Sequence, residues 1–488
     1  MIASSSPRVL LSVPNGSSAG SVLRTGLVAR LLDAHPALEV VLASPLVTDP
    51  VFAREFADPR VVLEDLPAHV PAGLEGRLFA LMQAAYLTSD ATESVRIRYA
   101  EARTQKTMRW LGAKRWLTRV AFPSMARRDS RYTFIDRRVS HPAAEALFDR
   151  HRPVLYVASN PGLIFSEIPL LRTAARRGVG SVAVDPSWDN FTNKLIPVRR
   201  VDRLLVWNEL MKQQAIEIHG YRPESITVTG PAHWDPYFRG HAGAGRDAFL
   251  RRIGADPARR LVTLTTTPRS LYAHHDHVLR VLIGAMQSNV WPFPVQLLVR
   301  LHPRDDADAY APFRGVPHVT IEKPFRPTVR SGDGLTVDVT ADSQQHLADT
   351  MRHSDVVINV ASTIAIEAAI FDRPVVNIAF DGETPSEWVR SARRYYRFTH
   401  YVNVTRHHAV RVAEQPQELV DWVGRYLQDP SLDRDGRRRV VEEQCQFLDG
   451  RSAERVGAAV VAELDRVVGR SSPHQVRTPR GENDAACA

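Results

Sequence analysis

Residues 355–380 read DVVINVASTIAIEAAIFDRPVVNIAF, and this stretch decides the fold. Two runs rich in Val and Ile flank a segment in which apolar residues recur at helical spacing. This order predicts a strand, a helix and a second strand, the repeating unit of a parallel sheet with crossover helices. Ser362 and Thr363 interrupt the unit where the first strand ends, which raises the question of what their hydroxyls hold.

The same alternation of short β-branched runs and helical patterns continues along most of the chain. Strand candidates in the first half are residues 8–13, 39–44, 153–159, 180–185, 203–207 and 225–230. Those in the second half are residues 261–266, 295–300, 318–323, 355–360 and 374–380. A chain of 488 residues is too long for one ordinary core. We therefore predict an α/β protein with two Rossmann-like, doubly wound domains that face one another across a cleft.

A Gly-rich segment, residues 237–247, follows a completed strand and predicts the domain boundary. The first domain is then residues 1–240, with a helical insertion at 74–150, and the second is residues 241–450. A C-terminal helix is predicted for residues 451–470. The polar tail, residues 471–488, has no apolar period and is predicted to be disordered.

Composition limits the classes of function. No apolar run reaches the length of about 18 residues that a membrane-spanning helix needs. The N-terminus lacks the pattern of a signal peptide, and the chain has 2 Cys, so we expect a cytoplasmic protein without a disulfide framework. The net charge of +9 suits an anionic substrate, a membrane surface or nucleic acid. Because no zinc-finger or RNA-binding motif occurs, we do not expect nucleic acid as a partner.

Residues 95–122 are both basic and aromatic. Such a helix is able to lie on an anionic bilayer, which predicts peripheral contact with the inner face of the membrane. The alternative is a solvated helix whose apolar side packs on its own domain.

The pair Ser362 and Thr363 is the first candidate for binding a phosphorylated donor. Hydroxyls and amides at the start of a helix can hold phosphate oxygens, although Ser and Thr also favour this position as ordinary helix caps. Glu367 lies one helical turn further on. It is a candidate for binding ribose hydroxyls, or else a solvated carboxylate.

Two further groups of donor-site candidates follow strands of the second domain. Residues 295–300 lead directly into His302, Pro303 and Arg304, so the imidazole projects from a strand end toward the cleft. The first strand of this domain ends in hydroxyls and a cation, namely Thr266, Thr267 and Arg269. Threonine is common in strands for conformational reasons alone, so this cluster also has a purely structural interpretation.

The candidates for a general base lie in the first domain. Asp185 and Asp189 flank a Pro turn after the strand at 180–185, where a carboxylate is able to deprotonate an acceptor hydroxyl. Asp185 is alternatively an Asx-turn residue that stabilises the turn. His233, near the end of the domain, is a reserve candidate for acid–base chemistry.

Two other features carry weaker predictions. Residues 304–308, RDDAD, are interpreted as a solvated loop, so no metal site is predicted. Gly16 and Gly20 lie in a Gly/Ser loop at residues 13–26 and would allow close approach of an acceptor.

A His-Pro pair at one strand end, followed about 60 residues later by a Ser-Thr pair, resembles the GT-B glycosyltransferases. The pattern is similar to the CDP-glycerol glycerophosphotransferases of teichoic acid synthesis, the bacterial sialyltransferases and the capsule Kdo transferases. In those families the two motifs contact the donor nucleotide, so the resemblance implies this role for His302, Pro303, Ser362 and Thr363. It covers most of residues 150–468.

One departure from that resemblance affects the expected chemistry. The glycerophosphotransferases carry a His-Gly motif after the strand that corresponds to residues 180–185, whereas residues 185–188 here read DPSW. The resemblance therefore implies that an Asp supplies the base, and it favours a sugar over glycerophosphate as the transferred group.

We expect a glycosyltransferase that moves a sugar from a nucleotide-activated donor to a hydroxyl of a glycan, a lipid-linked or a small-molecule acceptor. Its setting is expected to be cell-surface polysaccharide synthesis, with no metal and no other cofactor. Three alternatives stay open: a CDP-glycerol-type polyol phosphate transferase, a UDP-sugar 2-epimerase, and a GT-B scaffold without catalytic activity.

Overall fold

The computed structural model describes residues 6–66, 68–104, 136–194, 199–240, 243–328 and 337–471. In this part of the chain the strands form two large parallel sheets and one small hairpin.

The first sheet belongs to the N-terminal half. Its strands are β1 (Arg8–Ser12), β2 (Glu39–Ala43), β3 (Val61–Glu64), β4 (Leu155–Ala158), β5 (Gly180–Val184), β6 (Arg203–Val206) and β7 (Ile226–Val228). Their order is β3-β2-β1-β4-β5-β6-β7, and every pair is parallel. Six of these strands match the predicted ones. The sequence analysis missed β3, an edge strand whose residues are all only partly buried.

The second sheet belongs to the C-terminal half. Its strands are β8 (Arg260–Thr265), β9 (Val295–Arg300), β10 (Val319–Glu322), β13 (Val356–Asn359), β14 (Val375–Ile378) and β15 (Arg411–Ala413). Their order is β10-β9-β8-β13-β14-β15, again parallel throughout. The two short strands β11 (Arg326–Pro327) and β12 (Val337–Asp338) pair antiparallel in the hairpin. The predicted strand–helix–strand unit at 355–380 is therefore confirmed.

The α-helices connect and cover these strands. In the N-terminal half they are Gly16–Ser21, Leu27–Ala34, Pro50–Glu55, Gly73–Leu87, Glu93–Thr104, Pro142–His151, Ile168–Arg177, Asn190–Asn193, Glu209–His219 and Asp235–Phe238. In the C-terminal half they are Arg246–Arg252, His275–Gln287, Ala341–His353, Ile364–Ile370, Thr399–Thr405, Pro416–Gln428, Arg434–Cys445 and Ser452–Ser471. The described parts of the predicted insertion consist of helices and the short segments that join them, and the predicted domain boundaries stay predictions.

The packing of apolar side chains joins the two halves. One continuous core contains Leu10 and Val206 of the first sheet together with Val357 of the second and Ile366 of the helix that follows it. The two halves therefore share one apolar core, which fixes how their strand ends face each other.

The last helix, Ser452–Ser471, returns to the first domain. Val456, Val460 and Leu464 are buried in the same core as Val9 and Leu11 of β1. Its apolar residues recur at helical spacing, so one face covers the sheet while the other remains polar.

The Gly/Ser loop near residue 16 is filled by the protein itself. A Cβ on Gly16 would lie 2.4 Å from the carbonyl oxygen of Val337 and 2.7 Å from Cα of Asp338, both in the backbone of β12. Arg24 Nη1 donates to Asp338 Oδ1 over 2.7 Å, and Arg326 Nη2 donates to Asp338 Oδ2 over 2.8 Å. The glycine thus permits approach of the hairpin, which corrects the expectation that it admits an acceptor.

Membrane contact was predicted for residues 95–122, of which residues 105–122 lie outside the described part of the chain. The described part, within the helix Glu93–Thr104, faces the second domain: Arg394 Nε donates to Glu101 Oε1 over 2.5 Å. Among the described helices, none is both long enough and apolar enough to cross a bilayer.

Candidate active site

A cavity of about 370 Å³ lies between the two sheets. The first domain contributes Asp189 and Asn193 to its wall, and the second contributes Thr267, Ala361 and His400. Two of the predicted site residues, Asp189 and Thr267, are thus brought together from positions far apart in the sequence. The cavity lies at the carboxyl ends of parallel strands, where open α/β sheets bind their ligands.

Asp189 is a partly buried carboxylate held by two donors. Ser187 Oγ donates to Asp189 Oδ1 over 2.5 Å, and Lys194 Nζ lies 2.9 Å from the same oxygen. Burial alone would raise the pKa of Asp189, but the charge of Lys194, the proximity of His400 and the Ser187 hydrogen bond together lower it well below its usual range. The side chain is therefore ionised at neutral pH and binds a proton weakly.

Asp185 lies beneath this turn rather than in the cavity wall. Its Oδ1 accepts hydrogen bonds from Ser187 N, over 3.0 Å, and from the Asn190 side chain, so the Asx-turn alternative describes the structure. Burial raises the pKa of Asp185 to about 7. The residue shapes the turn that carries Asp189, which argues against its contact with an acceptor.

His302 lies at the carboxyl end of β9, as the sequence predicted. Its Nδ1 accepts a hydrogen bond from Arg304 N over 3.0 Å, so the proton of the neutral ring is on Nε2. Burial, with the nearby charge of Arg304, lowers the pKa of His302 to about 4. The ring is therefore a neutral hydrogen-bond donor at pH 7, well suited to a phosphate or sugar oxygen.

Thr266 is hydrogen-bonded to the backbone of His302. Its buried hydroxyl accepts from His302 N over 2.9 Å and donates to Asp305 Oδ2 over 2.7 Å, an oxygen that Tyr310 OH also contacts at 2.6 Å. These bonds argue against a direct donor contact by Thr266. Arg304, Asp306 and Asp308 are exposed, as expected for a solvated loop at residues 304–308, whereas Asp305 is only 2 % exposed and departs from that interpretation.

Ser362 and Thr363 form the turn between β13 and the helix Ile364–Ile370. Ser362 Oγ accepts from Ile364 N over 3.3 Å, which matches the helix-cap alternative, while both side chains remain partly exposed. Ala361, immediately before them, has a φ of 28° and lines the cavity. Residues outside the common backbone regions concentrate at ligand sites, and this turn is where the chain bends into the cleft.

Glu367 is buried, so the alternative of a solvated carboxylate is wrong. Tyr237 OH, from the first domain, donates to Glu367 Oε2 over 2.8 Å. Burial raises the pKa of Glu367 to about 7, against the opposing effects of Tyr237 and Arg300. The carboxyl therefore bridges the two domains behind the Ser-Thr turn, and its predicted contact with a ribose stays a prediction.

The remaining predicted residues occupy different environments. Pro303 and Thr267 are partly buried, and Thr267 N donates to His275 Nε2 over 3.0 Å. Arg269 and Arg304 are exposed, Arg304 at the same strand end as His302. Both guanidinium groups are hydrated in the free protein, and their side chains are long and flexible enough to turn toward an anion in the cleft.

His233 lies outside the cavity wall. Its ring packs 5.3 Å from that of Trp207 and 5.0 Å from that of Trp234, measured between centroids. Burial lowers the pKa of His233 to about 4. This aromatic packing argues against the reserve acid–base role.

Four residues of the cavity wall were not among the predicted site residues: Arg98, which was noted only as part of the basic segment 95–122, together with Glu101, Arg394 and His400. Arg394 Nε donates to Glu101 Oε1 over 2.5 Å, and Arg98 Nη1 donates to the carbonyl oxygen of Asn193 over 2.5 Å. All four lie on helical segments without a local motif, so only the packing of the two domains reveals them.

Among the described residues, His69, Glu75 and His141 form a group with the ligand types of a metal site. The group lies outside the cleft cavity, and Arg172 Nη1 is 2.9 Å from Glu75 Oε1. A guanidinium in that position already balances the carboxylate and opposes a divalent ion. We assign no metal there.

Comparison with known families places these residues in context. Residues 177–462, more than half of the chain, match the family described as CDP-Glycerol:Poly(glycerophosphate) glycerophosphotransferase. The matched region includes Asp189, Thr267, His302, Ser362 and His400. None of the curated protein sequences is significantly similar to the chain.

Solved structures share the architecture at low sequence identity. S. aureus MnaA in a co-structure with UDP has a TM-score of 0.53 and 11% identity, over 94% of this chain and 97% of that chain. The UDP-GlcNAc 2-epimerase from Neisseria meningitidis bound to UDP-GlcNAc has a TM-score of 0.50 and 10% identity, over 93% and 100%. The wall teichoic acid polymerase TagF has a TM-score of 0.51 and 10% identity, over 95% and 89%. The predicted GT-B fold is confirmed.

Proposed function

Because the chain belongs to the CDP-glycerol:poly(glycerophosphate) glycerophosphotransferase family, we propose that it transfers a nucleotide-activated group to an acceptor hydroxyl during synthesis of a cell-wall polymer. The observation that carries this proposal is the cavity between the sheets, where Asp189 of one domain faces Thr267 and the Ala361 turn of the other. A donor held by the second domain would present its reacting bond to an acceptor held by the first.

The donor is proposed to bind through its phosphates. The Nε2–H of His302 and the hydroxyls of Ser362 and Thr363 lie at the ends of β9 and β13, and exposed Arg269 and Arg304 add positive charge nearby. Groups of this kind stabilise the negative charge that develops on a departing phosphate. We propose that these cations and donors replace a metal ion, so activity should persist in EDTA.

A sugar is the first candidate for the transferred group. The DPSW sequence at 185–188 stands where the family's His-Gly motif is expected, so the base that serves glycerophosphate transfer is missing from that place. The neighbouring structures with UDP and UDP-GlcNAc are consistent with a nucleotide-sugar donor.

A nucleotide panel tests the donor site. We expect one of CMP, CDP, UMP, UDP, GDP or dTDP to raise the melting temperature of the wild type, because a ligand at about 100 times its Kd adds about 2.7 kcal/mol to the free energy of unfolding. His302→Ala should lose this shift, whereas His407→Ala should retain it. His407 is a matched control: it is another partly buried histidine of the second domain, in contact with Glu443. If no nucleotide shifts the wild type, the donor-site proposal fails and a non-catalytic scaffold is favoured.

Polyol phosphate transfer is the second candidate, favoured by the family match itself. With UDP-N-acetylglucosamine and CDP-glycerol offered as the two donors, the released nucleotide distinguishes the reactions, since transfer of this sugar breaks the bond from its anomeric carbon to oxygen and leaves UDP. Transfer of a polyol phosphate breaks the pyrophosphate bond and leaves a nucleoside monophosphate. We expect UDP from UDP-N-acetylglucosamine rather than CMP from CDP-glycerol, measured by ion-exchange chromatography. CMP alone would establish the second candidate, and isomerisation of the sugar without nucleotide release would indicate an epimerase.

A further inference from the structure

His400 is the least expected residue of the cavity wall. It is the second residue of the helix Thr399–Thr405 in the second domain, and its side chain is 8 % exposed. Its ring lies edge-on to Trp188, the residue before Asp189, with 5.1 Å between centroids. The second domain therefore inserts an imidazole beside the carboxylate that the first domain presents.

One ring nitrogen of this imidazole is a buried polar atom. Nδ1 of His400 is buried and has no hydrogen-bond partner among the described residues. Leaving a buried polar atom without a partner costs about 1–3 kcal/mol, so such an atom calls for an explanation beyond packing. If His400 had only a structural role, replacing it by an apolar residue of similar size would lower the free energy of unfolding very little.

The charged groups that surround His400 are already engaged. Asp189 accepts from Lys194 and Ser187, Glu101 accepts from Arg394, and Arg98 donates to a backbone carbonyl. The carboxylate of Asp189 is therefore committed to these donors, which leaves it less free to accept a proton from an acceptor hydroxyl. Burial lowers the pKa of His400 to about 4, so the ring is neutral at pH 7 and has a nitrogen lone pair available.

We propose that His400 is a catalytic residue that takes the proton from the acceptor hydroxyl, while Asp189 stabilises the imidazolium that results. This inference rests on the proposed transferase function. It places on the second domain the imidazole that is missing from the DPSW turn of the first.

The step is balanced in atoms and charge. The acceptor O–H bond breaks and its proton passes to a ring nitrogen of His400. The acceptor oxygen forms a bond to the electrophilic carbon or phosphorus of the donor, and the bond from that atom to the nucleotide phosphate oxygen breaks. The electron pair of that bond leaves with the nucleotide, and His400 then releases its proton to water.

Chemical rescue tests this role. Nucleotide release from UDP-N-acetylglucosamine and from CDP-glycerol, with glycerol and water as acceptors, is measured for wild type, His400→Ala and His400→Gln. We expect kcat to fall by about 10²- to 10⁴-fold in both variants with KM for the donor nearly unchanged. Added imidazole should restore part of the rate of His400→Ala, because the cavity beside residue 400 is large enough to admit it. The control is His408→Gln, an exposed histidine just beyond the same helix, which should react like the wild type.

The outcomes separate this inference from the proposed function. Two outcomes would overturn the catalytic role and leave the transferase proposal standing. In the first, His400→Ala has the kcat of the wild type. In the second, kcat falls and imidazole does not restore it, although the nucleotide still raises the melting temperature. If the variants lose the thermal shift as well, His400 is a structural residue. Failure of the wild type to release nucleotide from any donor that stabilises it would overturn both proposals.

Discussion

Glu167 illustrates what burial does to a single carboxyl group in this molecule. It is fully buried at the carboxyl ends of β1 and β4, where its Oε1 accepts from Ser12 Oγ over 2.6 Å and from Ser159 N over 2.9 Å. Its Oε2 has no partner among the described residues. Burial outweighs the hydrogen bonds and raises the pKa of Glu167 to about 7.

The raised pKa predicts a dependence of stability on pH. Between about pH 4.5 and 7 the folded protein keeps a proton on Glu167 that the unfolded chain has released. The stability of the folded state at this site is therefore greatest below pH 4.5 and falls as the pH rises to about 7. The loss is on the order of 3 kcal/mol. We expect Glu167→Gln to flatten the change in the free energy of unfolding between pH 5 and 7.5, measured by urea denaturation.

The exposed Glu209→Gln serves as its control, because that side chain is 58% exposed. Equal slopes for wild type and Glu167→Gln would contradict the prediction.

At the residue scale, the sequence predicted where the candidate site residues lie in the fold better than which partners their side chains bind. The positions of His302, Ser362 and Asp189 near strand ends could be predicted, because an apolar run followed by Pro or hydroxyl residues indicates where a strand ends. The engagement of Thr266 with Asp305, or of Glu367 with Tyr237, was not predictable, since each bond joins residues brought together only by tertiary packing. The same is true of His400, whose neighbour Trp188 lies in the other half of the chain.

At the scale of elements, the hairpin β11–β12 is held against the first domain by contacts that depend on Gly16. The nearest atoms to a Cβ at this position belong to the backbone of Val337 and Asp338, which cannot move aside as a flexible side chain would. Asp338 is completely buried between Arg24 and Arg326, so displacement of the hairpin would also disturb these ion pairs.

Gly16→Ala is therefore expected to destabilise the protein by about 1–3 kcal/mol, as overpacking of a tight contact generally does. Gly284→Ala is a matched control in the helix His275–Gln287, because no atom lies within 4 Å of its added Cβ. The control should be neutral or slightly stabilising, since Ala favours helices over Gly. Urea midpoints of the three proteins test this, and a Gly16→Ala variant as stable as the wild type would show that the hairpin is free to shift.

All the central strands of the two large sheets were predicted from sequence, whereas two of their four edge strands and the short hairpin strands were not. β9 and β13 are mainly apolar and are buried along their whole length, and such runs identify strands of parallel sheets. β3 and β15 lie at the ends of their sheets and are only partly buried, so their apolar signal is weak. β11 and β12 have two residues each and depend on the opposing domain for their position.

At the scale of the whole molecule, the cleft is defined by how the two sheets are joined. A single apolar core extends from Leu10 to Ile366, and the pair of Tyr237 and Glu367 adds a hydrogen bond across the same interface. The alternation of strands and helices was sufficient to predict two domains of this class. The relative placement of the domains, and therefore the composition of the cavity wall, was not encoded in any local pattern.

The return of the last helix to the first domain has a consequence for how the protein is made. Val456, Val460 and Leu464 complete a core whose other members, such as Val9, precede the second domain in the chain. Part of one face of the N-terminal sheet therefore stays uncovered until the second domain has been translated. Until the last helix emerges, that exposed apolar face is available to chaperones and to other nascent chains.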